Sequence, residues 1–182
     1  MWNARSEPDR VAEPDLHALL TRLEQLESER EIVRTINQFG HTIDYGLEAE
    51  WLDCFLPDGE LDVIYGDRPP SRMALGTRHA RGVLHRGTEQ LAAWIAGHTR
   101  PPVRIHKHLY IEPRIKLEGE TATSITYMTR VDVIGGQPEV YAFGRYHDEW
   151  SWCDDGRWRI KRRRIEIEGQ RDDAPPPYAP NA

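Results

Sequence analysis

Four strand-like segments in the second half of the chain constrain the fold more than any other feature. They are rich in β-branched and aromatic residues, as strands are, and they span residues 103–118, 121–134, 138–152 and 157–168. Short turns rich in glycine and aspartate separate them at 118–120, 135–136 and 154–156. Such residues tolerate the backbone angles of tight hairpins, so we predict an antiparallel four-strand meander.

Pro113 interrupts the first of these segments. Proline has no amide hydrogen to donate to a neighbouring strand, so we expect a bulge or an edge position there. Long antiparallel strands with a bulge curl, and helices packed on one side of a curled sheet leave a conical hollow.

Helices are predicted to precede this sheet. A leucine stripe at three- and four-residue steps indicates a helix beginning after Asp15, and a capping box at 28–31 predicts a new helix or a bend there. A second apolar stripe follows, formed by Ile32, Ile36, Phe39 and Ile43. Asp44 lies about 100° from the centre of that stripe, at the edge of the core, and Gly46 is in the usual position to end the helix.

The remaining segments complete an α+β domain. We predict a short helix over 47–56, a strand over 60–65, an irregular loop or short hairpin over 66–87, and a helix over 88–98 capped by Thr88. The expected organisation is a flexible N-terminus (1–14), one domain (15–168), and a disordered or extended proline-rich tail (169–182).

Composition excludes several classes of partner. A chain of 182 residues is long enough for one domain, and its net charge of −6 argues against nucleic acid, since the basic run 161–164 is split between two strand faces. No apolar run is long enough to span a membrane, and the N-terminus does not resemble a secretory signal. The two cysteines, Cys54 and Cys153, have no metal or redox spacing, so we expect a reduced, cytoplasmic protein.

The first meander strand has an unusual polar face. Because side chains alternate along a strand, His106, His108, Tyr110 and Glu112 are expected to share one face. That face is either exposed, as is common in antiparallel sheets, or it lines a cavity in which an imidazole acts as acid and base.

Several segments together resemble the SnoaL-like branch of the NTF2-like superfamily, a cone-shaped α+β fold that includes dehydratases and dehydrochlorinases. They are EREIVRTINQFGHTIDYGLEAEWLDCFLPDGELDV, RGTEQLAAWI and HKHLYIEPRIKLEGETATSITY, and with the last two strands they cover about residues 28–168. The resemblance implies N-terminal helices packed on a strongly curved, mostly antiparallel sheet that encloses a pocket.

The same resemblance implies a catalytic pair of a helix-end aspartate and a strand histidine. The aspartate position falls on Asp44, and the histidine position falls best on His108, with His106 as the alternative on the same face. Members often have Asn four residues after the histidine, where this chain has Glu112, followed by Pro113.

An acid–base pair also needs a group that polarises the substrate. Tyr65 and Tyr127 are the favoured candidates, with Tyr141 and Tyr146 behind them. Three further residues could contribute to substrate binding: His41, one helical turn before Asp44; Tyr45, next to it; and Trp51, a core residue first and a pocket wall second.

These features predict a cofactor-independent lyase of the dehydratase type, acting on an apolar, ring-containing or polyketide- or steroid-like small molecule. An isomerase or polyketide cyclase could use the same pair. Two other readings stay open: a metal site at His106 and His108 with Asp44 or Glu112, and a non-catalytic binding or assembly subunit. We expect no cofactor, no nucleic acid, no membrane, and a homodimer or homotrimer.

Overall fold

The fold is taken from a computed structural model, which describes the backbone of residues 15–65, 77–79 and 82–171. The N-terminal segment 1–14, most of the loop 66–87, and the tail from 172 onward lie outside the described residues. The expected behaviour of both termini therefore stays a prediction. Within the described ranges no helix combines the length and apolarity needed to cross a bilayer.

One long helix, α1 (Leu16–Tyr45), opens the structure. Asp15 caps it by accepting a hydrogen bond from the His17 amide, and Gly46 ends it in a left-handed conformation, as the sequence predicted. The new helix considered at 28–31 is wrong, since α1 continues through that position without a break. The second apolar stripe is buried, whereas the leucines of the first half are exposed over about half of their surface or more: Leu16, Leu19, Leu20, Leu23 and Leu26.

Two shorter helices support the same face of the sheet. The helix predicted over 47–56 is only α2 (Glu48–Leu52), because strand β1 already begins at Phe55. The predicted helix 88–98 is α3 (Gly87–Ala96), but Thr88 does not cap it. Its hydroxyl instead donates to the Pro57 carbonyl and ties α3 to β1.

The strands of the described chain form one seven-stranded sheet in the order β2-β3-β1-β7-β6-β5-β4. The first three strands are β1 (Phe55–Tyr65), β2 (Thr77–His79) and β3 (Gly82–Arg86), so a hairpin occupies the end of the predicted loop. The meander is confirmed as β4 (His106–Glu118), β5 (Thr121–Ile134), β6 (Gln137–Trp152) and β7 (Trp158–Gln170). All pairings are antiparallel except that of β1 with β7.

Bulges curve this sheet and leave it unclosed. Register shifts occur in β4 between Ile111 and Arg114, around Pro113 as predicted, and in the β5–β6 pair between Arg130 and Val131. Two more occur between β6 and β7. Each bulge adds local twist and bend, so the sheet wraps around α1 and the two faces become unlike.

The concave face packs on α1 and holds the core. Phe39 lies at its centre, with its ring 5.3 Å from Trp51 and 5.9 Å from Tyr146. A fully buried ion pair lies beside it: Arg163 donates two hydrogen bonds of 2.8 Å to Asp148, and its guanidinium stacks over the Phe39 ring. This pairing satisfies a charge that would otherwise be costly to bury.

The convex face of the meander exposes apolar side chains. In the register of β4, β5 and β6, Leu109 and Ile111 lie beside Thr129 and Tyr127, and Phe143 follows Thr129 on the next strand. Leu109, Ile111, Tyr127 and Phe143 are each more than half exposed, and Ile125 adds to the same patch. An apolar patch of this extent is typical of an interaction surface.

Candidate active site

Asp44 lies in the last turn of α1, and the residue is only 3% exposed. The burial follows from the sequence pattern, because Ile43 beside it belongs to the buried stripe and Gly46 stops the helix two residues later. A carboxylate in such a place requires hydrogen-bond donors from the sheet below.

His108 supplies two of those donors. Its ring Nδ1 lies 2.6 Å from Asp44 Oδ1, and its backbone N–H donates to Asp44 Oδ2 at 3.1 Å. A carboxylate can only accept, so Nδ1 carries the proton and Nε2 keeps a free lone pair. Nε2 makes no hydrogen bond with a described residue, and the ring is 6% exposed. Burial lowers the pKa of His108 and the Asp44 hydrogen bond opposes that effect, so the ring is neutral at pH 7.

The bulge at Pro113 is what turns His108 inward. Between the bulge and the β4–β5 hairpin, odd-numbered side chains such as Ile115 and Leu117 pack against the core. On the N-terminal side of the bulge, the even-numbered His106, His108 and Tyr110 face inward, while Leu109 and Ile111 face solvent. Without the extra residue a regular strand would point His108 outward.

His106 is more deeply buried than His108, and its ring nitrogen lies farther from the Asp44 carboxylate. It is 1% exposed, and its Nε2 lies 3.5 Å from Asp44 Oδ1, beyond a good hydrogen bond. Neither ring nitrogen finds a hydrogen-bond partner among the described residues. Burial, and then the nearby Arg130 guanidinium, lowers the pKa of His106 to about 2. A ring that stays neutral to such a low pH is a poor proton acceptor.

A third imidazole, His98, adjoins both. Its ring centroid lies 5.2 Å from that of His106 and 5.9 Å from that of His108. Its Nδ1 lies 3.0 Å from the Thr99 carbonyl oxygen, which can only accept, so the proton sits on Nδ1. Burial and then Arg130 hold the pKa of His98 well below its usual range. No sequence pattern marked this residue, because it lies just after a helix, far from the strand motif.

The charged part of the site comes from β5. Arg130 and Asp132 lie opposite His108 and His106 in the β4–β5 pairing. Asp132 is fully buried and accepts hydrogen bonds from Arg130 Nε (2.6 Å) and Nη2 (3.1 Å), and it is also ion-paired with Arg104. Sequence reasoning missed this pair, because alternating polar residues on a strand more often face solvent.

Tyrosines also line the concave face, but Tyr127, one of the two favoured candidates, is not among them. Tyr110 packs against α1 at Gly40, where any side chain would overlap its ring, and its centroid is 5.5 Å from that of Tyr146. Tyr146 and Tyr141 are 1% and 3% exposed. Burial raises the pKa of Tyr146 to about 12, so it stays a hydrogen-bond donor at neutral pH.

Several predicted binding residues lie elsewhere. Tyr127 is 59% exposed on the convex face, because strand alternation buries its neighbours on either side. Tyr45 is 55% exposed and its ring lies under Lys107 Nζ, while His41 points to solvent from α1. Trp51 is a core residue, stacked 5.2 Å from Trp94. These placements argue against a polarising role for Tyr127, Tyr45 and His41.

Two further predictions concern single residues. Tyr65 ends β1, and its side chain lies outside the described residues, so its role stays a prediction. Glu112 was expected on the histidine face; it lies within the bulge, has no paired residue on β5, and is exposed. It does not belong to the group of ligand atoms that converge on Asp44 among the described residues.

The remaining trio could still hold a metal ion. One ligand atom from each of Asp44, His106 and His108 lies within 4.8 Å of the others. The sequence suggested a site at His106 and His108 with either Asp44 or Glu112, and Asp44 is the carboxylate that lies beside both rings. In the structure, Asp44 Oδ1 and His108 Nδ1 are hydrogen-bonded to each other.

A crevice of about 340 Å³ opens elsewhere, between α2, β1 and α3. Its lining includes Phe55, Leu91, Cys153 and Arg159, and none of the residues that surround Asp44. Cys54 is buried next to this region and Cys153 is partly exposed, and both thiols are free.

The fold and the buried aspartate–histidine pair define a class of small α+β domains with an interior polar site. The chain belongs to the SnoaL-like domain family, whose model matches residues 24–164. Among curated proteins, none matches this chain in sequence.

Solved structures share the fold. An NTF2-like protein with a cystatin-like fold from Novosphingobium aromaticivorans has 22% identity and a TM-score of 0.70, over 88% of this chain and 93% of that one. A candidate scytalone dehydratase from the same organism has 17% identity and a TM-score of 0.63, over 90% and 97%. The beta subunit of a candidate aromatic-ring-hydroxylating dioxygenase, also from that organism, has 18% identity and a TM-score of 0.64, over 82% of this chain and 94% of that one.

Proposed function

We propose that the protein is a cofactor-independent lyase that removes water from an apolar, ring-containing small molecule, with His108 as the base and Asp44 as its orienting partner. The observation that carries this proposal is the 2.6 Å contact between Asp44 Oδ1 and His108 Nδ1. It fixes the tautomer in which Nε2 is free to take a proton. The family membership and the fold shared with a candidate scytalone dehydratase support the same direction.

In this mechanism His108 acts first as a base and then as an acid, and Asp44 supports it. His108 Nε2 removes a proton from the carbon next to a carbonyl, and Asp44 stabilises the imidazolium that forms. The imidazolium then protonates the departing hydroxyl, which leaves as water. If the substrate has no leaving group, the proton returns to another carbon or a new carbon–carbon bond forms, which would make the enzyme an isomerase or a cyclase.

The test uses a panel of β-hydroxy ketones on fused-ring skeletons, beginning with a β-hydroxy tetralone, whose dehydration gives an absorbing naphthol. We expect the His108→Ala variant to lose roughly 10²–10⁴-fold in rate, the usual range for removing a general acid–base group. The exposed Glu112→Gln on the same strand is the matched control and should retain full rate. If no panel member reacts or exchanges its α-proton for deuterium in a His108-dependent way, the proposal fails.

A second candidate is a metal site at Asp44, His106 and His108, favoured by the convergence of their ligand atoms. Three ligands with open positions would suit a catalytic divalent ion. Calorimetric titration with Zn²⁺ decides between the two: tight binding that is abolished in both His106→Ala and His108→Ala favours the metal.

An assembly role without chemistry is the third reading, and a dioxygenase beta subunit shares this fold. A subunit of that kind has no need for a buried hydrogen-bonded Asp44–His108 pair, which costs desolvation free energy. We therefore place it after the two catalytic readings.

We also propose that the convex apolar patch around Tyr127 and Phe143 is buried in a homodimer or homotrimer. The patch is continuous over β4, β5 and β6 and lies away from the Asp44–His108 pair, on the other face of the sheet. A symmetric partner would cover it without blocking the site.

A further inference from the structure

We propose that Arg130 binds the oxygen of the substrate carbonyl beside His108 and stabilises the negative charge that develops there. The inference deepens the proposed function and rests on it. It also names the substrate class, a β-hydroxy carbonyl compound that reacts through an enolate, rather than a halide or alcohol without a carbonyl.

The first support is position. His108 and Arg130 are directly paired across β4 and β5, and paired residues project from the same face about 4.5–5.5 Å apart at Cβ. Both lie on the concave face, where Arg130 is 4% exposed. A carbonyl whose α-proton meets His108 Nε2 would have its oxygen within reach of a group on the neighbouring strand.

The second support is the way in which Arg130 is held. Asp132 accepts from Nε and Nη2, which fixes the plane of the guanidinium, and Tyr141 packs with its ring centroid 4.9 Å from Cζ. Nη1 makes no hydrogen bond with a described residue. A rigid, buried donor with one edge uncommitted is a preorganised site for a developing oxyanion, which is the arrangement that lowers reaction barriers most.

The third support is electrostatic. Burial lowers the pKa values of His98, His106 and His108, and the positive charge of Arg130 adds to that effect at each ring. The three imidazoles are therefore uncharged at neutral pH. A negative oxygen beside His108 would meet the positive charge of Arg130, which is paired with His108 across the two strands.

The step is balanced as follows. His108 Nε2 takes the α-proton, the C–H electron pair forms the enolate double bond, and the carbonyl π pair moves to the oxygen held by Arg130. The carbonyl then re-forms, the electrons make the new α,β double bond, and the β C–O bond breaks. The leaving oxygen takes the proton back from the imidazolium, so the products are an unsaturated carbonyl compound and water.

The experiment uses para-nitrophenol, whose phenolate mimics a planar enolate and absorbs visible light. At a pH at which the free phenol is largely neutral, binding to the wild-type protein should shift it to the phenolate. The Arg130→Gln variant should weaken phenolate binding about 10–100-fold, as expected for a lost charge-assisted hydrogen bond. Arg130→Lys should keep part of it, and the exposed Arg114→Gln should keep all of it.

Two controls separate this effect from damage to the fold. Nitrobenzene, a neutral molecule of similar shape, should bind equally well to wild type and Arg130→Gln. In Arg130→Gln the buried Asp132 keeps its ion pair with Arg104, and the double variant Arg130→Gln/Asp132→Asn, which removes both charges of the Arg130–Asp132 pair, should show the same loss of phenolate binding. Absence of phenolate preference in the wild type, or an unchanged preference in both variants, overturns the inference.

The same assay distinguishes failure of the inference from failure of the proposed function. His108→Ala should still bind the phenolate, because the anion site does not use the imidazole. If phenolate binding depends on Arg130 but no panel ketone reacts, the anion site stands and the lyase does not. If ketones react through His108 with no Arg130-dependent phenolate binding, the lyase stands and this inference is wrong.

Discussion

Replacing Asp44 with Asn tests the tautomer argument directly. In the wild type the two carboxylate oxygens accept from the His108 ring and from the His108 amide, at 2.6 and 3.1 Å. Asparagine keeps the shape but has one acceptor and one donor. If its oxygen stays with the backbone amide, its NH₂ group faces Nδ1, which must then accept, and the ring proton moves to Nε2.

The alternative orientation would place the NH₂ group against the His108 backbone N–H. Two donors facing each other in a buried site cost about 1–3 kcal/mol, so the tautomer change is favoured. We expect Asp44→Asn to lower the elimination rate by roughly 10³–10⁴-fold, as the loss of the correct tautomer does in other histidine catalysts. The free energy of unfolding should fall by only about 1–2 kcal/mol, because both hydrogen bonds with His108 are kept in shape but lose the charge of the carboxylate.

The assay needs no substrate. Two-bond ¹⁵N–¹H NMR spectra distinguish a protonated Nδ1 from a protonated Nε2, so we expect the His108 signals to exchange character in Asp44→Asn. Glu112→Gln, an exposed carboxamide change on the same strand, is the control and should leave the His108 tautomer unchanged. The reasoning is refuted if His108 in the wild type is protonated at Nε2, or if Asp44→Asn keeps both the tautomer and the rate.

Three further predictions follow from the packing. Gly40→Ala should lower the urea-derived free energy of unfolding by about 1–3 kcal/mol because its methyl would displace Tyr110, whereas Gly97→Ala, with its nearest contact at 3.6 Å, should not. Burial lowers the folded-state pKa of His106 to about 2, so below pH ~6.5 only the unfolded state binds its proton. The contribution of His106 to stability is full above that pH and falls by about 1.4 kcal/mol per pH unit on acidification, so urea unfolding compared at pH ~5 and ~6 should show a smaller loss of stability in His106→Leu than in the wild type. Tyr127→Glu should convert the oligomer to monomers in light-scattering mass measurements, and an unchanged mass would exclude the convex patch as the interface.

Local patterns in the sequence were enough to predict the main elements. Alternation and turn residues predicted the meander, and Gly46 predicted the end of the first helix, because both depend on nearby residues. The break at Ser28 failed for the opposite reason: a capping box stabilises a helix start only where the chain enters the helix, and here the preceding turns are already helical. The Asp44–His108 pairing came from the resemblance, and the geometry agrees with it.

The facing of individual side chains was harder to predict. Tyr127 was favoured because its strand adjoins the histidine strand. Which face of the sheet a residue occupies depends on its pairing with the neighbouring strand, and Tyr127 pairs with the outward-facing Ile111. Counting from the hairpin turn would pair His108 with Val131. The bulge at Pro113 shifts the pairing by one residue, and so it brings Arg130 next to His108 instead.

The sequence by itself determined which segments become helix or strand, where a bulge would form, and that one aspartate would lie at the edge of the core. Only the tertiary structure decided which imidazole is hydrogen-bonded to Asp44. It also decided that the His98 ring packs beside those of His106 and His108, and that Arg130 lies next to them. The physical reason is that periodicity is a property of a few neighbouring residues. Register across a bulged sheet depends on how the whole sheet wraps around α1, and a shift of one position exchanges the inside for the outside.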